Sequence, residues 1–407
     1  MPTKKKLLIA IIICALVIRL LYLFCFVDLK NGNYSEYGYI AENIKNERGF
    51  SLFYFENDSL KQQFNKNFLP YPSAFMPPLY VFYILPIFYL NETESRNIIL
   101  IISQIVLSLF VIYFMFKLTD LLFGFYTAIT ASLILLLIPE YTYITSVYNS
   151  VVIYHLLVLM LLYFAINVDF KKTLKGVVIF SILSCLLVYT RSEFFLFYIF
   201  VLSYLIYKKE LRTALISLTI FIIVLSPWII RNKIVFENFI PFTTSSGLNL
   251  YRGNNPVKIG NWGEEEFINE IRKHSDGRNF EIVYNSYYKE KAVSFISDNP
   301  EQVLIYSFQK VFNLWIFDTD DTKSMNLFYV IPSLTIILFS IFGIIRSWDT
   351  DKFLFFYLLL FSTTISSVIF FPLPRHQIMM KIILIPFCAF YVNHLISIFA
   401  KSKKESV

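Results

Sequence analysis

Residues 78–90 read Pro78-Leu79-Tyr80-Val81-Phe82-Tyr83-Ile84-Leu85-Pro86-Ile87-Phe88-Tyr89-Leu90. The run is apolar but only about 13 residues long, against the roughly 20 that a helix needs to cross hydrocarbon, and a proline pair opens it. It therefore reads as a re-entrant or interfacial segment. Whether it crosses decides the side on which every later loop lies. On its N-terminal side, Lys4, Lys5 and Lys6 place the N-terminus in the cytoplasm, and the apolar run 7–27 follows. That run is too long for a signal peptide and lacks a small-residue cleavage site, so it reads as a retained first span. On its C-terminal side, span 97–116 runs inward to Lys117, 123–138 returns outward, and 150–168 comes back to Lys171, Lys172 and Lys175. Had residues 78–90 crossed, this basic cluster and the next would lie outside, against the positive-inside rule.

The same parity carries through the chain. Residues 176–190 go out, 194–207 come in to Lys208, Lys209 and Arg212, and 214–229 go out to a hydrophilic region. Residues 328–345 re-enter toward Arg346 and Lys352, 353–371 exit, and 378–400 end at Lys401, Lys403 and Lys404. The expectation is an all-α polytopic membrane protein of about ten spans with both termini cytoplasmic. Residues 1–230 hold seven spans and an outer loop 28–96, residues 231–325 form a small extracytoplasmic region, and residues 326–407 hold the last three spans. Helices 176–190 and 194–207 are short for a bilayer, which tilt or local thinning would accommodate.

Composition agrees: 57% of residues are hydrophobic and 16% charged, too few charges for a soluble domain. The net charge of +7 is spread in small groups between spans, which reports orientation and gives no nucleic-acid-binding face. Cys14, Cys25, Cys185 and Cys388 all lie inside apolar runs and form neither a disulfide framework nor a spaced metal cluster. No phosphate-cradling glycine loop, zinc spacing or nucleophile elbow is present, so no cofactor is marked, and the sequence leaves a divalent-metal requirement open. No internal repeat is visible.

In the outer loop, Tyr37, Ile40, Ala41 and Ile44 fall at helical spacing, as in an amphipathic helix on the membrane surface that Gly49 would end. In the larger region, 264–274 and 286–296 read as helices and the Asn- and Gly-rich 245–263 as loop. The triplets at Asn57 and Asn91 fit glycosylation acceptors but are common by chance.

Polar residues gather where the spans meet the outer face: Asn33, Glu36, Glu140, Tyr148, Asn149, Arg191, Glu193, Arg231, Asn232, Lys310, Arg375 and His376. Span ends carry polar residues for solvation alone. Two tight turns, Arg191 with Glu193 and Arg375 with His376 behind Pro372 and Pro374, restrict the backbone more than solvation requires. Arg19 inside the first span is a site candidate because of its insertion cost, with snorkelling as the plain alternative. His155 reads as packing.

From Ser226-Pro227-Trp228-Ile229-Ile230-Arg231-Asn232 through Phe236 and Pro241 to Ser246-Gly247-Leu248-Asn249-Leu250-Tyr251-Arg252-Gly253-Asn254-Asn255-Pro256, the chain resembles bacterial GT-C membrane glycosyltransferases. This family is related to protein O-mannosyltransferases and the lipid A aminoarabinose transferase. Pro77-Pro78-Leu79-Tyr80, Leu122-Phe123-Gly124, Arg191-Ser192-Glu193, Asn299-Pro300 with Lys310 and Trp315, and Arg375 with Pro386 follow in family order. The resemblance implies a GT-C-like fold in a bacterial plasma membrane and transfer of a sugar from a polyprenyl-phosphate carrier to an extracytoplasmic lipid, glycan or protein acceptor.

It also implies a carboxylate four residues before Tyr37, where Asn33 stands, and a second one that Asn149 replaces. Asn33 and Glu36 are therefore the catalytic candidates. Arg191, Glu193, Arg231, Asn232, Tyr251, Lys310, Arg375 and His376 are the substrate-binding candidates, with Arg231 and Arg375 on the carrier phosphate in one outer cavity and Lys310 behind them. A catalytically silent relative, a flippase or transporter of lipid-linked glycans, and a glycan polymerase are the competing readings. Transporters place ionisable residues at mid-membrane within inverted repeats, which this chain lacks.

If the parity holds, single cysteines replacing Lys172 or Lys209 in a cysteine-free chain stay unlabelled by an impermeant maleimide in intact cells. Labelling from outside would overturn the orientation.

Overall fold

A computed structural model describes residues 2–31, 34–168, 170, 173–260, 265–275, 277–318 and 325–405. Asn33, Lys171 and Lys172 lie outside the described residues. The order begins with α1 (Pro2–Phe26), α2 (Ser35–Lys45), a hairpin of β1 (Tyr54–Glu56) and β2 (Ser59–Lys61), and α3 (Pro78–Phe88). Next come α4 (Thr93–Phe123), α5 (Phe125–Leu137), α6 (Pro139–Ile144), α7 (Val151–Asn167) and α8 (Leu174–Thr190). A 3₁₀ turn, Ser192–Phe194, leads to α9 (Phe195–Tyr207) and α10 (Leu211–Phe236). Then follow α11 (Ser246–Gly253), α12 (Glu265–Lys273), α13 (Phe280–Asp298), α14 (Pro300–Trp315), α15 (Leu327–Arg346), α16 (Leu354–Ile369) and α17 (Pro374–Glu405).

Among the described residues, five helices are long and apolar enough to cross a membrane: Lys5–Phe26, Thr93–Phe123, Leu211–Phe236, Leu327–Arg346 and Pro374–Ala400. Shorter apolar helices α5, α7, α8, α9 and α16 accompany them. One extensive apolar cluster runs through this bundle, from Ile11 and Ala15 of α1 to Ile385 and Ala389 of α17. A second cluster forms a cap over one end, joining α2, α3, α11 and α13 to the ends of α4 and α10 through Ile40, Tyr80, Leu100, Trp228, Leu248 and Tyr288. Helix α3 has 11 residues, a rise of about 16 Å, which is roughly half of the hydrocarbon thickness. Its buried residues belong to the cap.

Three sequence expectations are corrected here. The apolar face of α2 is buried by protein rather than lying on lipid: Tyr37, Ile40 and Ala41 pack in the cap against α3. The fold is not wholly helical, because Asn57 and Asp58 both take positive φ and close a two-residue hairpin loop of the kind that pairs with the strand twist. The segment read as loop contains α11. Its backbone packs too closely for side chains, since a Cβ on Gly247 would lie 1.9 Å from the Asn285 carbonyl oxygen and one on Gly253 1.6 Å from that of Phe370. Composition suggested a loop; contact with α13 and the end of α16 makes it a wedge.

Buried cations tie the cap to the bundle. Arg96 of α4 pairs with Glu42 of α2 at 2.9 Å and donates to the Leu90 and Phe88 carbonyls at the end of α3, which have no helical partner. Arg19 is buried within α1, donating to the Ala15 carbonyl at 3.2 Å and lying 5.6 Å from the Tyr141 ring, so it does not reach outward as snorkelling would require.

Glu281 of α13 is a hub of the cap. Its Oε2 accepts from the Ala74 N–H at 2.8 Å and the Thr244 hydroxyl at 2.6 Å, joining the two outer regions. Burial pushes its carboxyl up to about 7, against the opposing hydrogen bonds and the charge of Arg231. A carboxyl raised on folding holds its proton better when folded, so stability falls as pH rises from about 4.5 toward 7. Glu281→Gln should flatten that fall, worth up to about 3 kcal/mol, in thermal unfolding of the detergent-solubilised chain. An unchanged pH profile would refute it.

Candidate functional site

Where cap and bundle meet, they enclose a cavity of about 690 Å³, within the range of small-molecule sites. Its polar wall carries Tyr37, Asn149, Arg191, Glu193, Asn249, Asn285, Arg375 and His376. Its apolar wall comes from the start of α9, with Phe195, Leu196 and Ile199, and from Phe239, Ile240 and Phe242 after α10. Ile199 and Phe239 are well exposed, so they add apolar accessible surface to this wall.

The turn after α8 gives the site its most ordered group. Arg191 ends α8 in extended backbone, and its Nε lies 2.9 Å from Glu193 Oε1. Its Nη2 lies 2.9 Å from His376 Nε2, and its guanidinium faces the Tyr154 ring at 5.6 Å. His376 Nδ1 accepts from the Leu373 backbone N–H at 3.1 Å, and Nε2 faces Glu193 Oε1 at 3.8 Å. The two tight turns, far apart in sequence, form one Arg–Glu–His cluster. Arg191 Nη1 is buried and has no hydrogen-bond partner among the described residues.

Arg375 differs from its neighbours. It lines the cavity, is solvent-accessible, and has no hydrogen bond or ion pair among the described residues. It sits in the first turn of α17, where a cation opposes the helix dipole and where both favour an anion in the cavity. Arg191, Tyr37, Glu193 and Glu36 all act on it electrostatically.

The remaining candidates are placed elsewhere. Arg231 does not line the cavity: it donates to the Ser73 carbonyl at 2.6 Å, the Phe50 carbonyl at 2.9 Å and Asn232 Oδ1 at 2.9 Å, between the Phe50, Trp228 and Phe236 rings. Asn232 is buried and donates to the Ile240 carbonyl. Lys310 is buried, donating to Asn254 Oδ1 at 3.1 Å and to the Val368 carbonyl at 2.9 Å near the end of α16, and burial pushes it down to about 8. Tyr251 packs against Phe267 and Tyr288. These four hold the walls instead of facing the cavity. Glu140 pairs with Lys381 of α17 rather than joining the mouth. Glu36, in the first turn of α2, is half-buried and off the cavity wall, yet within electrostatic range of Arg252 and Arg375.

Asn285 and Arg252 were not singled out in the sequence. Asn285 lines the cavity and accepts from Ser246 and the Gly247 N–H, and Arg252 lies 4.2 Å from the centre of the Phe371 ring on the cavity wall. The Asn- and Gly-rich run 246–256 was the signal for Arg252. Nothing local marks Asn285.

The fold has counterparts among solved structures. It matches the Archaeoglobus fulgidus oligosaccharyltransferase tethered with an acceptor peptide containing the NVT sequon, at a TM-score of 0.58 and 14% identity over 96% of this chain. The apo form of that enzyme matches at 0.58 and 12% over 99%, and its complex with zinc and sulfate at 0.56 and 14% over 97%. The fold resembles the membrane part of a GT-C oligosaccharyltransferase. The chain spans about half the length of these matched structures, 50%, 52% and 49% respectively. No family model and no curated protein matches the sequence.

Because Arg231 bonds two carbonyls of the outer loop, Arg231→Ala should act as a stability variant. Loss of these charged hydrogen bonds should cost about 2–4 kcal/mol, read as a lowered thermal midpoint, with Arg231→Lys recovering part of it. A normal midpoint with altered ligand binding would show that Arg231 faces the site.

Proposed function

We propose that the chain is a GT-C-type membrane glycosyltransferase of about ten spans, with both termini cytoplasmic. In this reading it moves a sugar from a polyprenyl-phosphate carrier to an acceptor on the outer face. The observation that carries it is the uncommitted Arg375 guanidinium in a cavity that is polar on one side and apolar on the other, within a GT-C-like fold. A carrier lipid has that same division. The phosphate would meet Arg375 and the positive end of α17, while the first isoprenes follow Leu196, Ile199 and Phe239 toward the membrane.

The bond that breaks joins the anomeric carbon to a phosphate oxygen, and negative charge grows on the leaving phosphate. A fixed guanidinium in a cavity depleted of water stabilises that charge more in the transition state than in the bound donor. Arg191, paired with Glu193, has an Nη1 with no hydrogen-bond partner among the described residues, a donor for a second contact. Among the described residues no three His, Cys, Asp or Glu side chains converge as metal ligands.

A strain lacking the chain should lose one sugar from a surface glycan or lipid, seen by mass spectrometry and restored by the wild-type gene. Arg375→Ala should fail to restore it, with turnover lowered about 10²–10³-fold at a normal thermal midpoint. Full restoration by Arg375→Ala would remove this residue from the site.

A further inference from the structure

We propose that Glu193 is the base of the transfer, an assignment that rests on the glycosyltransferase reading above. Among the described residues it is the carboxylate on the cavity wall, whereas Glu36 lies off that wall. Its backbone is fixed in the 3₁₀ turn Ser192–Phe194, and Arg191 holds Oε1 at 2.9 Å. Oε2 accepts no hydrogen bond from a described residue, which leaves an acceptor atom free for a substrate hydroxyl. Arg191 and His376 are positioning residues that set the direction of the carboxylate.

A second observation concerns the space behind Glu193. A void of about 20 Å³, room for one water, is lined by Glu193, His376 and the hydroxyl-bearing Ser362, Thr363, Ser366 and Ser367. A carboxylate that alternately gains and loses a proton needs such an outlet. In the transfer step the acceptor oxygen bonds to the anomeric carbon as its proton passes to Glu193. The bond from that carbon to the carrier phosphate breaks, its electron pair staying on the phosphate oxygen beside Arg375. Glu193 then releases the proton to water, through the void or the cavity.

The test uses the full chain in detergent with a set of synthetic polyprenyl-phosphate hexoses and pentoses, reading release of polyprenyl phosphate with water or azide as acceptor. Azide is already an anion and needs no base. Glu193→Gln should lower release to water by about 10²-fold or more, and azide should restore it with formation of the glycosyl azide. Arg375→Ala should lose release with both acceptors. Should Glu193→Gln fail to fold, Glu193→Asp replaces it, with the same azide-restored fall expected. A Glu193 variant at the wild-type rate, a fall that azide does not restore, or the azide-restored fall appearing in Glu36→Gln instead would overturn the assignment while leaving the transferase reading intact. A wild-type chain that turns over no donor in the set would overturn that reading and the base assignment together.

Discussion

Helix ends and loops crossing the top of a membrane bundle expose carbonyl groups that neither lipid nor a packed cap can hydrogen-bond, and each one buried without a partner costs free energy. In this protein, buried cations answer much of that demand. Arg96 serves the end of α3, Arg231 serves the outer loop at Phe50 and Ser73, and Lys310 serves Val368 near the end of α16. Each charge thereby acquires the hydrogen bonds that its own burial requires. The cap is seated on the bundle by these contacts, and the cavity is the space left between them.

That division of labour explains why the polar span ends, so alike in sequence, are unlike in place. Arg231 and Arg375 each follow a proline-containing turn or helix segment at an expected outer span end. What separates them is whether a carbonyl from elsewhere arrives. The partners of Arg231 stand 158 and 181 residues away along the chain, and no local pattern announces them. Arg375 receives no such partner among the described residues, and its donors stay uncommitted there.

The legible part of the fold was the part set by solvent. Apolar runs revealed the helices of the bundle, and the shortness of residues 78–90 marked α3 as unlike the long helices. The helices expected at 264–274 and 286–296 correspond to α12 and part of α13. The cap was less legible because its structure depends on contact. Gly247 and Gly253 look like loop residues until their neighbours are known, Asn57-Asp58 looks like part of a glycosylation triplet until its φ angles close a hairpin, and the apolar face of α2 looks lipid-bound until α3 covers it. Of the site, the sequence marked the two restricted turns, Arg191 with Glu193 and Arg375 with His376, as candidates. That they meet each other was not readable, since 185 residues separate Arg191 from His376.

The meeting of those turns has a mechanical consequence. The first turn of α17 and the 3₁₀ turn after α8 are linked through Arg191, His376 and Glu193, and the same wall is backed by the wedge of α11 against Phe370. A ligand that draws the Arg191 guanidinium toward itself also shifts its Nε contact with Glu193 and its approach to His376, because one rigid plane carries all three nitrogens. A neutral imidazole has a single accepting nitrogen, and Nδ1 already accepts from the Leu373 N–H, so the His376 proton sits on Nε2, where Arg191 Nη2 is a second donor and Glu193 Oε1 the acceptor. With Arg191 displaced, the competing donor is gone and that proton can close on Glu193 Oε1, 3.8 Å away on the cavity wall. An anion bound at Arg375 and Arg191, as proposed, would thus be coupled to the orientation of Glu193 through the Arg191 guanidinium that both share.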